Sequence, residues 1–342
     1  MTRHYSLLLC CVATRTVRIA FLGFGNVGRA LRALLEDRRD ALARELGVEC
    51  LVTGVASRRI GWRADARGVN AGGDGAGSCA DVNEWLARSE AEVVFEAIAL
   101  DPHSGQPALD YLRAVLRHGA HAISANKGPL VHGYRELAQL ARDRGRRYLF
   151  ESAVMDGAPV FSLVRECLPL AGLRAVRGVF TSTATIVLEA VERGLTLADG
   201  IAEAQQLGIA EADPSYDVDG WDSAVKLCAV GNVLLGGTLR PGDVARTGIG
   251  TLGEEAIRQA KAEGRPFRLV GEVERDSTGV VQARVAPARC SAGGALGIVR
   301  GAMLAMHYEA DVFPGGLTVT SRDPDPTTTA YGMLADLVTA VR

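Results

Sequence analysis

Apolar and polar positions fall into blocks along this chain. Residues 17–23 (VRIAFLG) form a short, β-branched apolar run, which predicts a buried parallel strand. A helical pattern over 29–46 follows, then extended runs over 50–56 and 91–99. A helix over 108–118, a strand over 120–125, a helix over 134–144 and an extended 148–150 complete the series. Strand and helix alternate up to about residue 150, the pattern of a doubly wound parallel α/β sheet.

Beyond that point the rhythm changes. Helices are expected over 159–168, 188–194, 198–207 and 221–235, and strands over 173–182, 269–273 and 280–285. Thr196, with Asp199 three residues on, is a candidate capping box for the 198–207 helix. A last helix over 327–341 is expected to return to the first unit. The division that results is a dinucleotide-binding domain over 17–150, completed by about 320–342, and a second, α+β domain over 151–319 that holds substrate.

Composition narrows the classes. Of 342 residues, 48% are hydrophobic and 23% charged, and the net charge is −2, which excludes a disordered chain. The longest uninterrupted apolar run, 7–13, is far too short for a membrane-spanning helix. The balance of 38 basic against 40 acidic residues argues against a dedicated nucleic-acid binder. The seven cysteines are odd in number and form no C-x-x-C pair, so neither a disulfide framework nor a zinc site is expected, and a cytoplasmic location follows. The first thirteen residues resemble a short signal peptide, but a strand begins at 17, and they are taken as an N-terminal extension.

One bias directs attention to chemistry. Only Lys127, Lys226 and Lys261 are lysines among the 38 basic residues. Arginine serves wherever fixed charge suffices, whereas lysine can release a proton.

Gly23, Gly25 and Gly28 form G-x-G-x-x-G, with Asn26 and Val27 between them, at a strand-to-helix junction. Such glycines let backbone approach a pyrophosphate resting on a helix N-terminus, so this is a candidate Rossmann-type cofactor loop. The glycine-rich stretch 68–77 is a loop and not a P-loop, since no Gly-Lys-Ser/Thr follows. The second strand ends Ser57-Arg58-Arg59 with no acid, which favours NADP over NAD because arginines can pair a 2′-phosphate. Asn126 and Lys127 end a later strand, where sheets of this type bind ligands.

The densest chemistry lies at 211–222, where Glu211, Asp213, Asp217, Asp219 and Asp222 cluster before a helix. Asp222 and Lys226 are spaced i, i+4 and share a face, so a carboxylate could orient a proton-transferring amine.

Together these segments resemble the homoserine dehydrogenase family over about residues 17–340. The segments that carry it are GFGNVG (23–28), ISANKGPL (123–130), ESAVMDGAPV (151–160), LGIAEADPSYDVDGWDSAVKL (207–227) and TAYGMLADL (329–337). The resemblance implies Lys226 and Asp222 as the catalytic pair and Lys127 at the cofactor–substrate junction. It implies Glu211 and Asp217 at substrate polar groups, with Ser182 and Thr183 beside them. It places a monovalent cation at Glu151 and Val154, chiefly on backbone carbonyls, and implies a homodimer formed through the second domain.

Departures cluster in the substrate wall. Thr181-Ser182-Thr183-Ala184-Thr185-Ile186 stands where the family usually has Asn-Gly-Thr-Thr-Asn-Tyr. Ile209 replaces a common Tyr, and Asp156 replaces a small residue. The expected activity is interconversion of a primary alcohol and an aldehyde, homoserine and aspartate 4-semialdehyde in the family. The alternative is a less polar alcohol, or a redox-neutral lyase that oxidises its substrate transiently before carbon–carbon cleavage.

Overall fold

The structure is a computed structural model describing residues 14–70, 72–73 and 75–342; the N-terminal extension, with Cys10 and Cys11, lies outside the described residues. β1 (Arg15–Leu22) carries the first apolar run, with Val17, Ile19 and Phe21 inaccessible to solvent on one face and Ala20 and Leu22 on the other. Burial on both faces is what makes the strand read as a continuous apolar run. β1 pairs in parallel with β2 (Val48–Ser57) on one side and β5 (Val93–Glu96) on the other. β6 (His121–Ser124) and β7 (Tyr148–Leu149) extend the parallel set. β3 (Gly61–Ala64) and β4 (Gly77–Cys79) add an antiparallel edge, giving the order β4-β3-β2-β1-β5-β6-β7. These two strands were not expected. They are short, begin at Gly61 and Gly77, and flank the glycine-rich loop, so no periodic signal marks them.

The helical pattern over 29–46 is two helices, Asn26–Asp37 and Arg39–Leu46, parted at Arg38 (φ −95°, ψ 8°). The helix expected from 134 begins seven residues earlier, as Lys127–Asp143. Its first turn takes in Gly128 and Pro129. Proline in the first helical turn loses nothing, because those N–H groups have no intrahelical acceptor.

The second sheet has the order β13-β12-β8-β10-β11-β9. It comprises β8 (Leu173–Val179), β9 (Ala245–Arg246), β10 (Phe267–Arg275), β11 (Val281–Arg289), β12 (Leu304–Ala310) and β13 (Phe313–Ser321). All pairings are antiparallel except β9 on β11. β12 and β13 were missed. β13 carries Pro314, Gly315 and Gly316, which an edge strand tolerates. The helix expected over 159–168 is a shorter helical segment over 161–167, wide-turned from Leu163 to Cys167. The one expected over 188–194 is the longer Ser182–Glu192, whose Thr183, Thr185, Ile186 and Val187 are buried. Tertiary packing there overrides the poor helix propensity of β-branched residues.

The capping box at Thr196 is formed, with Asp199 N donating to Thr196 Oγ1 (3.1 Å) and Thr196 N to Asp199 Oδ2 (3.2 Å). The last helix, Pro326–Val341, inserts Ala330, Met333, Leu334 and Leu337 into the core built by Val17, Ile19, Phe21, Leu31 and Leu35. The chain's end thus packs on its beginning. The helix Trp221–Leu234 lies on β10 and β11 and also against the Lys127–Asp143 helix, so it touches both halves of the molecule.

Candidate active site

The loop after β1 shows why three glycines are spaced as they are. Gly23 has φ +98°, and a Cβ there would collide with the Ala97 carbonyl. A Cβ at Gly28 would lie 2.7 Å from the Gly23 carbonyl oxygen. Gly25 is different, because a Cβ would meet nothing within 4 Å. Two glycines are therefore required by the fold, and the third leaves open space at the N-terminus of Asn26–Asp37. Open backbone there fits a dinucleotide pyrophosphate.

A cleft of about 660 Å³ runs past this loop, lined by Gly23, Gly25, Ser57, Arg58, Arg59 and Ala97 among others. Ser57 Oγ accepts from Ile60 N (3.1 Å) and shapes the turn that carries the arginines. A neighbouring hollow of about 580 Å³ gathers Arg29, Arg59 and Arg63 against glycines of the 72–75 loop. None of Arg29, Arg58, Arg59 or Arg63 forms an ion pair with a described residue. Arg29 Nη2 donates to Asn26 Oδ1 (2.7 Å). Arg29 and Arg63 were not singled out in the sequence, because one lies in a helix and the other in an unforeseen strand.

Across the sheet's carboxyl edge stand the two lysines. Lys127 Nζ is 3.1 Å from Asp222 Oδ1, and Lys226 Nζ is 2.9 Å from Asp222 Oδ2. Their side chains are 18%, 14% and, for Asp222, 13% exposed. Lys226 Nζ also donates to the Phe180 carbonyl (2.7 Å), just after β8. Asp222 lies in the first turn of its helix, where the dipole favours negative charge. Burial alone would raise the Asp222 pKa, but Lys127 and Lys226 outweigh it and hold the carboxyl well below its usual range. Burial alone would lower Lys226, yet Asp222 and, after it, Asp156 and Asp217 raise its pKa. The centre is an ammonium–carboxylate–ammonium triad drawn from both halves of the chain.

Asp217 stands beside it and accepts from Thr183 Oγ1 (2.7 Å). Burial raises the Asp217 pKa, partly offset by Thr183. Tyr216 is pushed up to about 12 by burial and by Asp222 and Asp217. Ser182 opens the helix that carries Thr183. Glu211 is exposed, and its carboxylate is joined to none of these groups; only its carbonyl is engaged, by Gln205 Nε2 (3.2 Å). The Asn126 side chain faces inward, with Oδ1 accepting from Gly128 N (3.0 Å) and Nδ2 donating to Glu96 Oε1 (3.3 Å). Glu96 escaped notice because it sits inside an apolar strand.

In the candidate cation segment, expected to act chiefly through backbone carbonyls, the Glu151 side chain is engaged by the fold itself. Glu151 accepts from Phe161 N (2.7 Å) and Ser162 N (2.8 Å), so both oxygens hold backbone. The groups that would hold a cation there are the backbone carbonyls of the segment, those of Glu151 and Val154 included. Among the described residues no cluster of three or more His, Cys, Asp or Glu could hold a metal. Asp156, next in this segment, is left-handed (φ 49°) and accepts from Thr329 Oγ1 (3.3 Å). Ile186 is buried in the hydrophobic core, so packing accounts for its apolar character, while Ile209 is half-buried and packs against that core.

A doubly wound sheet, an open glycine loop and a buried amine–carboxylate centre at the strand ends define a dinucleotide-dependent dehydrogenase. The profile of the homoserine dehydrogenase NAD-binding domain matches residues 23–151, and that of homoserine dehydrogenase itself matches 159–338. An NAD(+)-dependent homoserine dehydrogenase of Pseudomonas canavaninivorans is 31% identical over 94% of this chain and 95% of its own. A homoserine dehydrogenase of Lactococcus lactis is 30% identical over 96% of this chain and 74% of its own. A putative homoserine dehydrogenase structure from Archaeoglobus fulgidus superposes with a TM-score of 0.81, at 30% identity, over 94% of this chain and 98% of that one. The chain belongs to the homoserine dehydrogenase family, NAD(P)-dependent dehydrogenases that act on a CH–OH group.

Proposed function

We propose that the protein is a homoserine dehydrogenase that prefers NADP and interconverts homoserine and aspartate 4-semialdehyde. The observation that carries the reading is the shared carboxylate of Asp222 between Lys127 and Lys226. Bound nicotinamide supplies the hydride acceptor or donor. The neutral amine of Lys226 takes the hydroxyl proton during oxidation, and its ammonium returns it during reduction, held in place by Asp222 and the Phe180 carbonyl. Lys127 orients the substrate oxygen at the boundary between the two halves. Asp217, supported by Thr183, receives a polar group of the substrate. Glu211 joins the site through substrate.

Support for NADP comes from Arg29, Arg59 and Arg63 around one hollow at the end of β2. A hyperthermophilic archaeal homoserine dehydrogenase mutant solved with NADPH superposes with a TM-score of 0.79 at 25% identity, over 95% of this chain and 98% of that one. The P. canavaninivorans relative, by contrast, is NAD(+)-dependent. We also propose the division into a cofactor domain over 17–150 with 320–342 and a substrate domain over 151–319. A homodimer joined through the second sheet is supported by its edge strand β13, nine residues long. Free thiols at Cys50, Cys79, Cys167, Cys228 and Cys290 support a reducing, cytoplasmic setting. No described helix is long and apolar enough to cross a membrane.

The test is absorbance of reduced nicotinamide with L-homoserine and NADP⁺ or NAD⁺. Net reduction, faster with NADP⁺, is expected. Cofactor binding without net reduction rejects homoserine oxidation. Carbon–carbon cleavage without accumulated reduced cofactor would identify the lyase alternative.

A further inference from the structure

Glu96 ends β5 with no solvent exposure and forms no ion pair with a described residue. Its donors are all neutral: Ile98 N (2.9 Å), Ser124 Oγ (2.5 Å) and Asn126 Nδ2 (3.3 Å). The register explains the arrangement, since Glu96 stands directly opposite Ser124 on the neighbouring strand β6. Ser124 Oγ in turn accepts from Asn126 N (3.0 Å), so its hydrogen points to Glu96. Asn126 Oδ1 caps the helix whose first residue is Lys127.

Burial without a partner cation raises the Glu96 pKa, but Oε1, which takes the Ile98 N–H, is an acceptor in either protonation state. Facing it, the Asn126 amide must present Nδ2 to Glu96 and Oδ1 to Gly128 N. A glutamine at 96 keeps its oxygen on Ile98 N and turns its N–H₂ to Ser124 Oγ, so Ser124 loses its acceptor and the turn leading to Asn126 is released. Ala97, one residue on, presses its carbonyl against Gly23 of the cofactor loop. One turn thus connects the cofactor loop to the start of the Lys127 helix.

We propose that Glu96 is a positioning residue for the reaction: its buried carboxylate fixes the Ser124–Asn126 turn so that Lys127 meets Asp222. A filler role for Glu96 would require only that the three donors be satisfied. The positioning role requires that the direction of Lys127 depend on the acid itself.

The chain's composition gives a direct readout. Only three lysines are present, so [¹³Cε]lysine labelling yields three lysine side-chain signals, with Lys127 assigned through K127R. In E96Q the Lys127 signal is expected to shift and the Lys261 signal to stay. S124A removes the hydroxyl through which the acid holds Asn126 N, so it is expected to shift Lys127 in the same sense and serves if E96Q fails to fold. An unmoved Lys127 signal in the folded variant overturns the proposal.

The kinetic arm rests on the dehydrogenase reading. E96Q is expected to lower kcat about tenfold or more, with cofactor KM within about twofold. K127A/E96Q should be no slower than K127A, because Glu96 acts through Lys127. Losses that multiply in the double variant overturn the proposal. Absence of turnover in the wild type rejects homoserine as substrate, and the NMR arm still decides Glu96.

Discussion

Lys127 and Lys226 occupy the two oxygens of a single carboxylate, Asp222, although they stand ninety-nine positions apart on different helices. The pairing joins the cofactor half to the substrate half at one buried charge. It also sets the protonation of the base, because Asp222 outweighs the burial that would otherwise favour neutral Lys226.

The sign of a D222N effect follows. Removing the carboxylate takes away the largest charge that opposes burial and leaves only Asp156 and Asp217 against it, so the Lys226 pKa falls. Oxidation needs the neutral amine, and its rate should rise with pH through the base's pKa. In D222N that break should move to lower pH than in the wild type, while kcat drops about a hundredfold from lost orientation. kcat for homoserine oxidation measured from pH 6 to 11 checks both. A break that stays put or moves up contradicts the assignment.

Asp156 acts in the same direction as Asp222 but from a strained, left-handed position. D156G should relieve the backbone and remove one negative charge that favours the ammonium. The oxidation break should move to lower pH by less than in D222N, and thermal stability should hold or rise, since left-handed backbone costs about 1–2 kcal/mol for a residue with a Cβ. A pH profile and a melting curve on the same sample decide it.

Gly25 and Gly28 predict opposite failures. G25A meets open space and should melt near the wild type but bind NADP at least about tenfold more weakly, because the methyl occupies the approach to the pyrophosphate. G28A forces a Cβ to 2.7 Å from the Gly23 carbonyl oxygen and should lower the melting temperature by several degrees. Equal effects on melting and binding in the two variants would show that Gly25 is structural as well.

R59A tests the cofactor preference. Loss of a charge-assisted hydrogen bond to phosphate costs about 1.5–3 kcal/mol, or about tenfold to a hundredfold in KM for NADP⁺. KM for NAD⁺ should change little, because it lacks the 2′-phosphate. Equal change for both cofactors would place Arg59 elsewhere on the dinucleotide.

The legible parts of this chain were those with a strong local signal. β1, its glycine loop and the i, i+4 pair of Asp222 and Lys226 each carry their geometry in their spacing. The antiparallel edge β3–β4 was invisible because strands of three and four residues bounded by glycine have no periodicity. Helix 182–192 was masked by its β-branched residues, whose packing only the whole fold supplies. That Lys127 would reach Asp222 could not be read at all, since a contact between distant helices has no local signature. Glu96 was hidden for the opposite reason, as one acid within a run otherwise dictated by the core.

The most direct test of the central claim compares wild type with K226A, measuring kcat for L-homoserine and NADP⁺ alongside NADP⁺ binding on the same preparations. Lys226 as the proton-transferring group predicts kcat lower by about a hundredfold to ten-thousandfold with cofactor affinity preserved. Turnover in K226A within a few-fold of the wild type would contradict it.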